Sequence, residues 1–337
     1  MTVAAPNQKM MRALFLESYN APFTLAEVPR PEPDNGEVLV RIMASGVNPL
    51  DTKIRAGHAE HAQVKLPVVL GIDLAGVVEE VGPGVTAFKP GDEVYGMTGG
   101  VGVLQGSLAD FAAVDADLLA LKPSNLSMRE AAALPLAVIT AWEGLVDRAR
   151  VHVGQKVLVH GGAGGVGHVA VQIARAFGAI VFATVSPDKQ AIVEQFGAIA
   201  INYQTTPLEE YVAVHTAGEG FDIVVDTQGG ATLDASFQAV RIYTGHVVSS
   251  LGWGVHKLAP LSFRGATYSG IFTLLPLLTG KGRRHHGDVL REATRLAEAG
   301  ILKPLVNSRR FTLDTAIEAH LQVAAGAVGK TVVDVDS

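Results

Sequence analysis

The chain has 337 residues, which at roughly 150 residues per domain points to two domains. With 48% hydrophobic and 18% charged residues it has ample material for a core, and general disorder is excluded. Its net charge of −6, with 27 Lys+Arg against 33 Asp+Glu spread along the chain, speaks against a nucleic-acid partner or an anionic membrane surface, since each selects a basic face.

There is no cysteine. This removes disulfides, thiolate nucleophiles, iron–sulfur clusters and every Cys-containing zinc site, and it is compatible with the cytoplasm. A mean hydropathy of +0.28 raises the question of a membrane span. The uncharged run 157–174 has the length of one, but it carries Gly161, Gly162, Gly164, Gly165 and Gly167 together with two histidines. A second run, 265–280, is too short and is interrupted by Pro276. Lys9 and Arg12 are followed closely by Glu17 and Asn20, with no apolar leader between them. The expectation is a soluble, cytoplasmic, unprocessed protein.

In chain order, a strand over 38–42 follows the turn Asp34-Asn35-Gly36. Val68-Val69-Leu70 precedes a β-branched run at 75–81. The segments Gly82-Pro83-Gly84 and Lys89-Pro90-Gly91-Asp92 then turn the chain before Glu93-Val94-Tyr95. Short strands at this spacing suggest a small, curled, mostly antiparallel unit. The texture changes near Ser127. Residues 128–146 have helical composition with one proline, Pro135, and strands at 157–159, 180–184, 200–201, 223–225 and 247–249 then alternate with helices at 166–177, 189–196 and 208–215. Such alternation implies a parallel sheet covered on both faces, a doubly wound α/β unit. Residues 268–337 return to mixed structure, with a helix at 287–298 and a last strand at 331–335. The expected domains are 128–267, doubly wound, and 1–127 with 268–337, forming a second.

Gly162-Ala163-Gly164-Gly165-Val166-Gly167 follows one predicted strand and opens a helix, with a second strand within about thirty residues, the context of a dinucleotide-binding turn. Gly162 is assigned the tight turn, Gly164 the close approach of backbone to a pyrophosphate, and Gly167 the packing of helix on strand; the helix start faces the phosphates. A tight βα turn without ligand is the alternative. The second strand ends Thr184-Val185-Ser186-Pro187, without the acid that would bind ribose hydroxyls, and Lys189 follows. Ser186 and Lys189 could donate to a 2′-phosphate, with Asp188 expected to point away; otherwise Lys189 is a solvated first-turn residue. NADPH is therefore favoured over NADH.

The chain resembles the medium-chain dehydrogenase/reductase superfamily, in its zinc-free quinone oxidoreductase branch related to zeta-crystallin. The resemblance spans nearly the whole length and rests on Ser45-Gly46-Val47-Asn48-Pro49-Leu50-Asp51, on 67–76, and on Lys89-Pro90-Gly91-Asp92-Glu93-Val94-Tyr95-Gly96. It is carried further by Ala133-Leu134-Pro135-Leu136, Thr140-Ala141-Trp142, the glycine turn and Gly329-Lys330. It implies a Rossmann doubly wound parallel sheet inserted in a mostly β, GroES-like catalytic domain. In the zinc-bearing relatives the metal ligands fall at the positions of Asn48, of Gly71-Ile72-Asp73 and near Leu136. An amide and two aliphatics there cannot hold Zn²⁺. His58, Glu60, His61 and His285-His286 read as solvated loops.

Without a metal to stabilise an alkoxide, the easier task is hydride delivery to an electron-poor acceptor, a quinone or an α,β-unsaturated carbonyl. The resemblance places three catalytic candidates: Asn48 as an amide donor in the cleft, Thr140 beside the nicotinamide, and Lys53 where the family commonly has a Tyr. Asn48 is otherwise a turn residue before Pro49, and Thr140 a helix-interior residue. Lys53 polarises a carbonyl, snorkels outward or pairs with Asp51. Cofactor contacts are expected from Gly162, Gly164, Gly165, Val166, Gly167, Ser186, Lys189, Leu251 and Lys330. Tyr203 either donates to the 2′-phosphate or is a buried strand-end residue, and Lys330 is alternatively an exposed surface lysine. Leu251-Gly252-Trp253 and 268–278 form an apolar wall for a bulky acceptor or a homodimer interface. Two further readings remain open: an enoyl-thioester reductase, with Arg283 and Arg284 as a basic entry, and an NADPH-binding protein with a structural or redox-sensing role.

Overall fold

The computed structural model describes residues 9–336; the start of the segment searched for a leader, 1–8, and residue 337 lie outside the described residues. The chain divides into two compact units, one of Met1–Leu136, Thr273–Gly300 and Pro304–Ser337, the other of Ala137–Phe272 with Ile301–Lys303.

The first unit is mostly β. Its larger sheet centres on the strand Glu37–Val47, which pairs antiparallel with Asp73–Val81 on one side and Thr331–Asp334 on the other. Register matters here. Thr331 lies opposite Val47 and Gly46 lies opposite Asp73, so Lys330, Asn48 and Asp73 are brought to one end of three adjacent strands. Gly46 is obligatory at this crossing, because a Cβ would stand 2.1 Å from the Ala132 carbonyl oxygen. A smaller sheet joins Met10–Leu16 to Thr24–Pro29 and Val68–Val69. Neither of its first two strands was anticipated from the sequence.

Asn48 caps the helix Pro49–Arg55, whose first turn holds Asp51 and whose last turn holds Lys53 and Arg55, as the helix dipole favours. A longer helix runs Arg283–Glu298, beginning four residues before the predicted start. It takes in His285 and His286, and His286 is fully buried rather than in a solvated loop. The Tyr95 hydroxyl donates to the Leu290 carbonyl at 2.7 Å and fixes this helix on the strand Glu93–Met97.

The second unit carries a six-stranded parallel sheet with the strands Lys156–His160, Ile180–Val185, Ile199–Asn202, Ile223–Asp226, His246–Ser249 and Thr267–Gly270. Counted from the first of these, the spatial order is 3-2-1-4-5-6, the doubly wound dinucleotide-binding arrangement. The sixth strand, Thr-Tyr-Ser-Gly, lacks an apolar run and was not predicted. One face of the sheet buries Leu158, Phe182, Phe221, Val224 and Phe237, with Phe182 edge-on to Phe221 at 5.3 Å. The single predicted helix over 128–146 is broken: Met128–Ala132 starts at a Ser127–Glu130 capping box, Pro135–Trp142 follows, and a π-helical turn runs Glu143–Arg148.

Two histidines fold neutral. Burial pushes His160 down to about 4, against the pull of Asp226, and pushes His320 down to about 3 with help from Arg55. The unfolded chain binds more protons than the folded one between those values and 6.5, so these groups cost stability as pH falls through that window. His320→Leu is expected to remove its share of that loss. Urea denaturation of both proteins at about pH 7 and about pH 4.5 checks it; an unchanged difference between the two pH values would contradict it.

Candidate functional site

The first candidate element is the turn between Lys156–His160 and the helix Gly167–Ala176. Gly161, at φ +70°, supplies the left-handed residue, and a Cβ on it would meet the Gln228 amide at 2.2 Å. The tight turn thus sits one residue earlier than assigned. Gly162 instead packs on the second strand, where a Cβ would be 2.5 Å from that of Ala183. Thr184 of that strand holds the turn twice: its hydroxyl accepts from Gly161 N–H and its carbonyl from Gly162 N–H, both at 3.1 Å. Gly164 and Gly165 are exposed, and beside a Cβ on Gly164 only the Gly161 carbonyl oxygen would stand, at 3.1 Å. Gly167 has no such room, its Cβ direction lying 2.1 Å from the same oxygen. The turn thus leaves Gly164 and Gly165 exposed above a closed base of Gly161, Gly162 and Gly167.

The adjacent strand tips come next. Val185 pairs with Asn202, which sets Ser186 and Tyr203 on neighbouring strand ends. Tyr203 is 57% exposed, so the buried strand-end reading does not hold. Lys189 is half-buried in a short 3₁₀ turn. The Asp188 carboxyl is held below the usual range by the Ser186 hydroxyl first, with Lys189 contributing. Leu251 follows the strand His246–Ser249, its N–H donating to the Ser249 hydroxyl at 3.1 Å.

Sequence reading missed Asp226, at the tip of the fourth strand. It is buried and accepts from the N–H groups of Gln228 and Gly229 at 3.0 Å and from the Ser249 hydroxyl at 2.6 Å, tying two strand ends together. The Asp-x-x-Gly spacing was the available signal. Asp226 borders a small depression shared with Thr140, Val166, Ser249, Ser250 and Ile271. Thr140 is buried just before the π-helical turn, whose Gly144 lines the same depression, a feature common at functional sites.

The second candidate element lies in the other unit. Asn48, Asp51, Asp73 and Lys330 are all buried, each 5% exposed or less. The Asn48 amide donates to Asp73 at 2.9 Å and its oxygen accepts from the Lys330 ammonium, which stands 3.8 Å from Asp73. Asp73 also accepts the Leu136 N–H at 2.9 Å, and Asp51 accepts the Asn48 N–H at 2.8 Å. Burial pushes Asp51 up to about 7 and Asp73 up to about 6, and lowers Lys330; the Lys330 charge opposes both carboxyl shifts. Lys330 is therefore not a surface lysine, and Asn48 is more than a turn residue.

Lys53 lies exposed on its helix, where its charge helps burial to lower His61. It shows no ion pair with Asp51, one of the three expectations for it. Arg283 is committed elsewhere, donating to Asp115 at 2.9 Å and to the carbonyls of Pro276 and Leu277.

A sheet of this order with this glycine turn defines a dinucleotide-binding dehydrogenase fold. Residues 34–124 match the family described as alcohol dehydrogenase GroES-like domain, and 165–280 match that described as zinc-binding dehydrogenase. The human quinone oxidoreductase is 30% identical over 97% of this chain and 99% of its own length. The NADPH-dependent alkenal/one oxidoreductase of Arabidopsis thaliana is 34% identical over 98% and 81%. A solved alcohol dehydrogenase superfamily protein from Novosphingobium aromaticivorans is 55% identical with a TM-score of 0.94, covering 97% of this chain and 100% of that one. The chain belongs to the medium-chain dehydrogenase/reductase superfamily, in its quinone oxidoreductase-like branch, and is an oxidoreductase. Zinc does not fit its donor set: the three positions that resemble metal ligands hold an amide, Asn48, and two aliphatics, Ile72 and Leu136, and the amide is already engaged by Asp73 and Lys330. Among the described residues no helix is long and apolar enough to cross a membrane.

Proposed function

We propose that the protein is an NADPH-dependent, zinc-independent reductase of quinones or α,β-unsaturated carbonyls. The observation that carries this reading is the exposed glycine turn with Ser186 and the exposed Tyr203 on adjoining strand ends and Lys189 in the 3₁₀ turn that follows. Gly164, Gly165 and Val166 would hold the pyrophosphate, and Lys189 and Tyr203 the 2′-phosphate. Leu251 and Thr140 would flank the nicotinamide end. The chemistry a bound dihydronicotinamide supplies is hydride transfer to an electron-poor acceptor.

The chain's own part is to bind, orient and polarise. Thr140 would set the nicotinamide face. Lys53, exposed on its helix, would polarise a carbonyl oxygen. Asn48 has its amide engaged by Asp73 and Lys330, so it acts by holding its helix start and neighbours rather than as a free donor. An NADH preference is the second reading, favoured by Asp188 in the 3₁₀ turn beside Ser186, where a carboxylate would repel a 2′-phosphate.

Fluorescence titration of wild type, Lys189→Ala and Asp188→Asn with both dinucleotides separates the two. Lys189→Ala is expected to weaken NADPH by about one to two decades, the worth of a charge-assisted hydrogen bond, and to leave NADH unchanged. Asp188→Asn is expected to tighten NADPH. Equal loss of both dinucleotides in Lys189→Ala would remove the phosphate role.

A further inference from the structure

We propose that His256 is a positioning residue whose imidazolium form latches the segment 251–258 to the helix Ala231–Ala239, and that loss of its proton releases the segment. The geometry needs two N–H groups. Nδ1 donates to the Asp234 carboxylate at 2.9 Å and Nε2 to the Trp253 carbonyl at 3.3 Å. Both partners are pure acceptors and a neutral imidazole has a single N–H, so only the charged ring satisfies both. Asp234 stands in the first turn of its helix, where the dipole favours a carboxylate. The Phe237 ring of the same helix meets His256 edge-on at 6.4 Å. Every residue from 252 to 259 is exposed except His256, so this ring is the side chain withdrawn from solvent along the segment.

The charges around the ring agree with this. The Asp234 hydrogen bond raises the His256 pKa above its usual 6.5 against a smaller cost of burial, and the Trp253 carbonyl and Asp226 add to the rise. Of the neighbouring cations, Arg264 is turned onto the Val240 carbonyl at 2.9 Å and Lys257, next along the chain, is exposed. Tyr268 packs on the same Phe237 ring at 5.8 Å and keeps its phenol proton, burial holding its pKa up. The latch is therefore fully engaged below pH 6.5 and lost as pH rises through the raised folded value. Once the proton leaves, the remaining N–H stays on Asp234 and the Nε2 lone pair faces the Trp253 carbonyl, two acceptors in contact. The backbone yields at that point. Gly254 sits at φ +108° with nothing within 4 Å of its Cβ direction, whereas Gly252 is wedged, a Cβ there standing 2.2 Å from the Tyr268 hydroxyl. The segment begins at Leu251, which the proposed function sets beside the nicotinamide; an effect of the latch on dinucleotide binding rests on that reading, and the latch itself does not.

The test uses the full chain as wild type, Trp253→Phe, His256→Gln and Asp234→Asn, from about pH 5.5 to about pH 9. The part of the acrylamide quenching of fluorescence that Trp253→Phe removes reports Trp253. In wild type it is expected to rise about twofold through one transition above pH 6.5, as a half-exposed indole becomes fully exposed. Dinucleotide affinity is expected to fall through the same transition. His256→Gln is expected to show no transition, and Asp234→Asn to move its midpoint down. The imidazole proton resonance that His256→Gln removes is expected to titrate at the wild-type midpoint. The proposal is overturned if Trp253 quenching in wild type is independent of pH or rises towards acid, if His256→Gln keeps the transition, or if Asp234→Asn leaves the midpoint in place. Constant affinity across a transition that Trp253 does report would overturn the placing of Leu251 beside the nicotinamide and leave the latch standing.

Discussion

Gly167→Ala is expected to destabilise the protein by about 3 kcal/mol and to weaken dinucleotide binding by at least about tenfold. The added methyl would stand 2.1 Å from the Gly161 carbonyl oxygen and 2.9 Å from the Gly162 Cα. Both contacts are with backbone, so no side-chain rotation relieves them. The helix Gly167–Ala176 must move off the turn, and it cannot do so freely. His168 Nδ1 is bonded to the Gly164 carbonyl at 2.9 Å, and Gln172 is bonded to both backbone groups of Lys303. Displacing the helix start also displaces the exposed Gly164 and Gly165. Gly164→Ala is the control: its methyl would meet only the Gly161 oxygen, at 3.1 Å. Its stability is therefore expected to change little while dinucleotide affinity falls, since a methyl there occupies the space a pyrophosphate needs. Urea denaturation and dinucleotide titration of both variants check this; loss of stability in both, or of affinity in neither, would contradict it.

Asp73→Ala is expected to cost about 3–5 kcal/mol, the usual penalty for leaving a buried charge without its partner. Three donors lose their acceptor at once: the Asn48 amide, the Leu136 N–H and the Lys330 ammonium. Asp73→Asn keeps an acceptor for one or two of them and should lose less. The pH dependence carries a sign. Because burial raises Asp73 to about 6 from 3.8, the folded protein binds the extra proton between those values. Its contribution is fully present below about pH 3.8 and lost as pH rises through about 6. The gap between wild type and Asp73→Ala, measured by denaturation, is therefore expected to be larger at about pH 4 than at about pH 7. A gap that widens towards pH 7 would contradict this account of the cluster.

The parallel sheet was legible because its first five strands are short β-branched runs such as Val157-Leu158-Val159 and Ile223-Val224-Val225, each set off by glycine, polar turn residues or a helix. The sixth was not, since Thr-Tyr-Ser-Gly at a sheet edge carries no apolar signature. The hairpin strand Met10–Leu16 was hidden by Arg12, whose guanidinium points to Asp110, 98 residues away. Arg283-Arg284-His285-His286 reads as a polar loop, yet it begins a helix because Arg283 spends its donors on Asp115 and two carbonyls. The glycine turn could be read as a whole, but which glycine is left-handed depends on what surrounds Gly161, namely Thr227 and Gln228.

Site residues divide in the same way. Asn48, Thr140 and Lys330 could be marked only through resemblance, because the contacts among Asn48, Asp73 and Lys330 span up to 282 residues and follow from strand register. A lysine after glycine near the end of a chain reads as exposed on its own; the paired strands bury it. Asp188 shows the limit of local reading. Its neighbours identify it as a first-turn acid, while its contact with Ser186 depends on the backbone of the 3₁₀ turn Pro187–Lys189.

NADPH and NADH oxidation, followed in parallel against a panel of quinones and enones with and without a chelator, is the decisive measurement of the proposed reductase activity. NADPH is expected to be consumed about one to two decades faster than NADH, in proportion to the charge-assisted contact at Lys189, with no effect of the chelator. NADH consumed as fast as NADPH, or turnover lost on chelation, would contradict it.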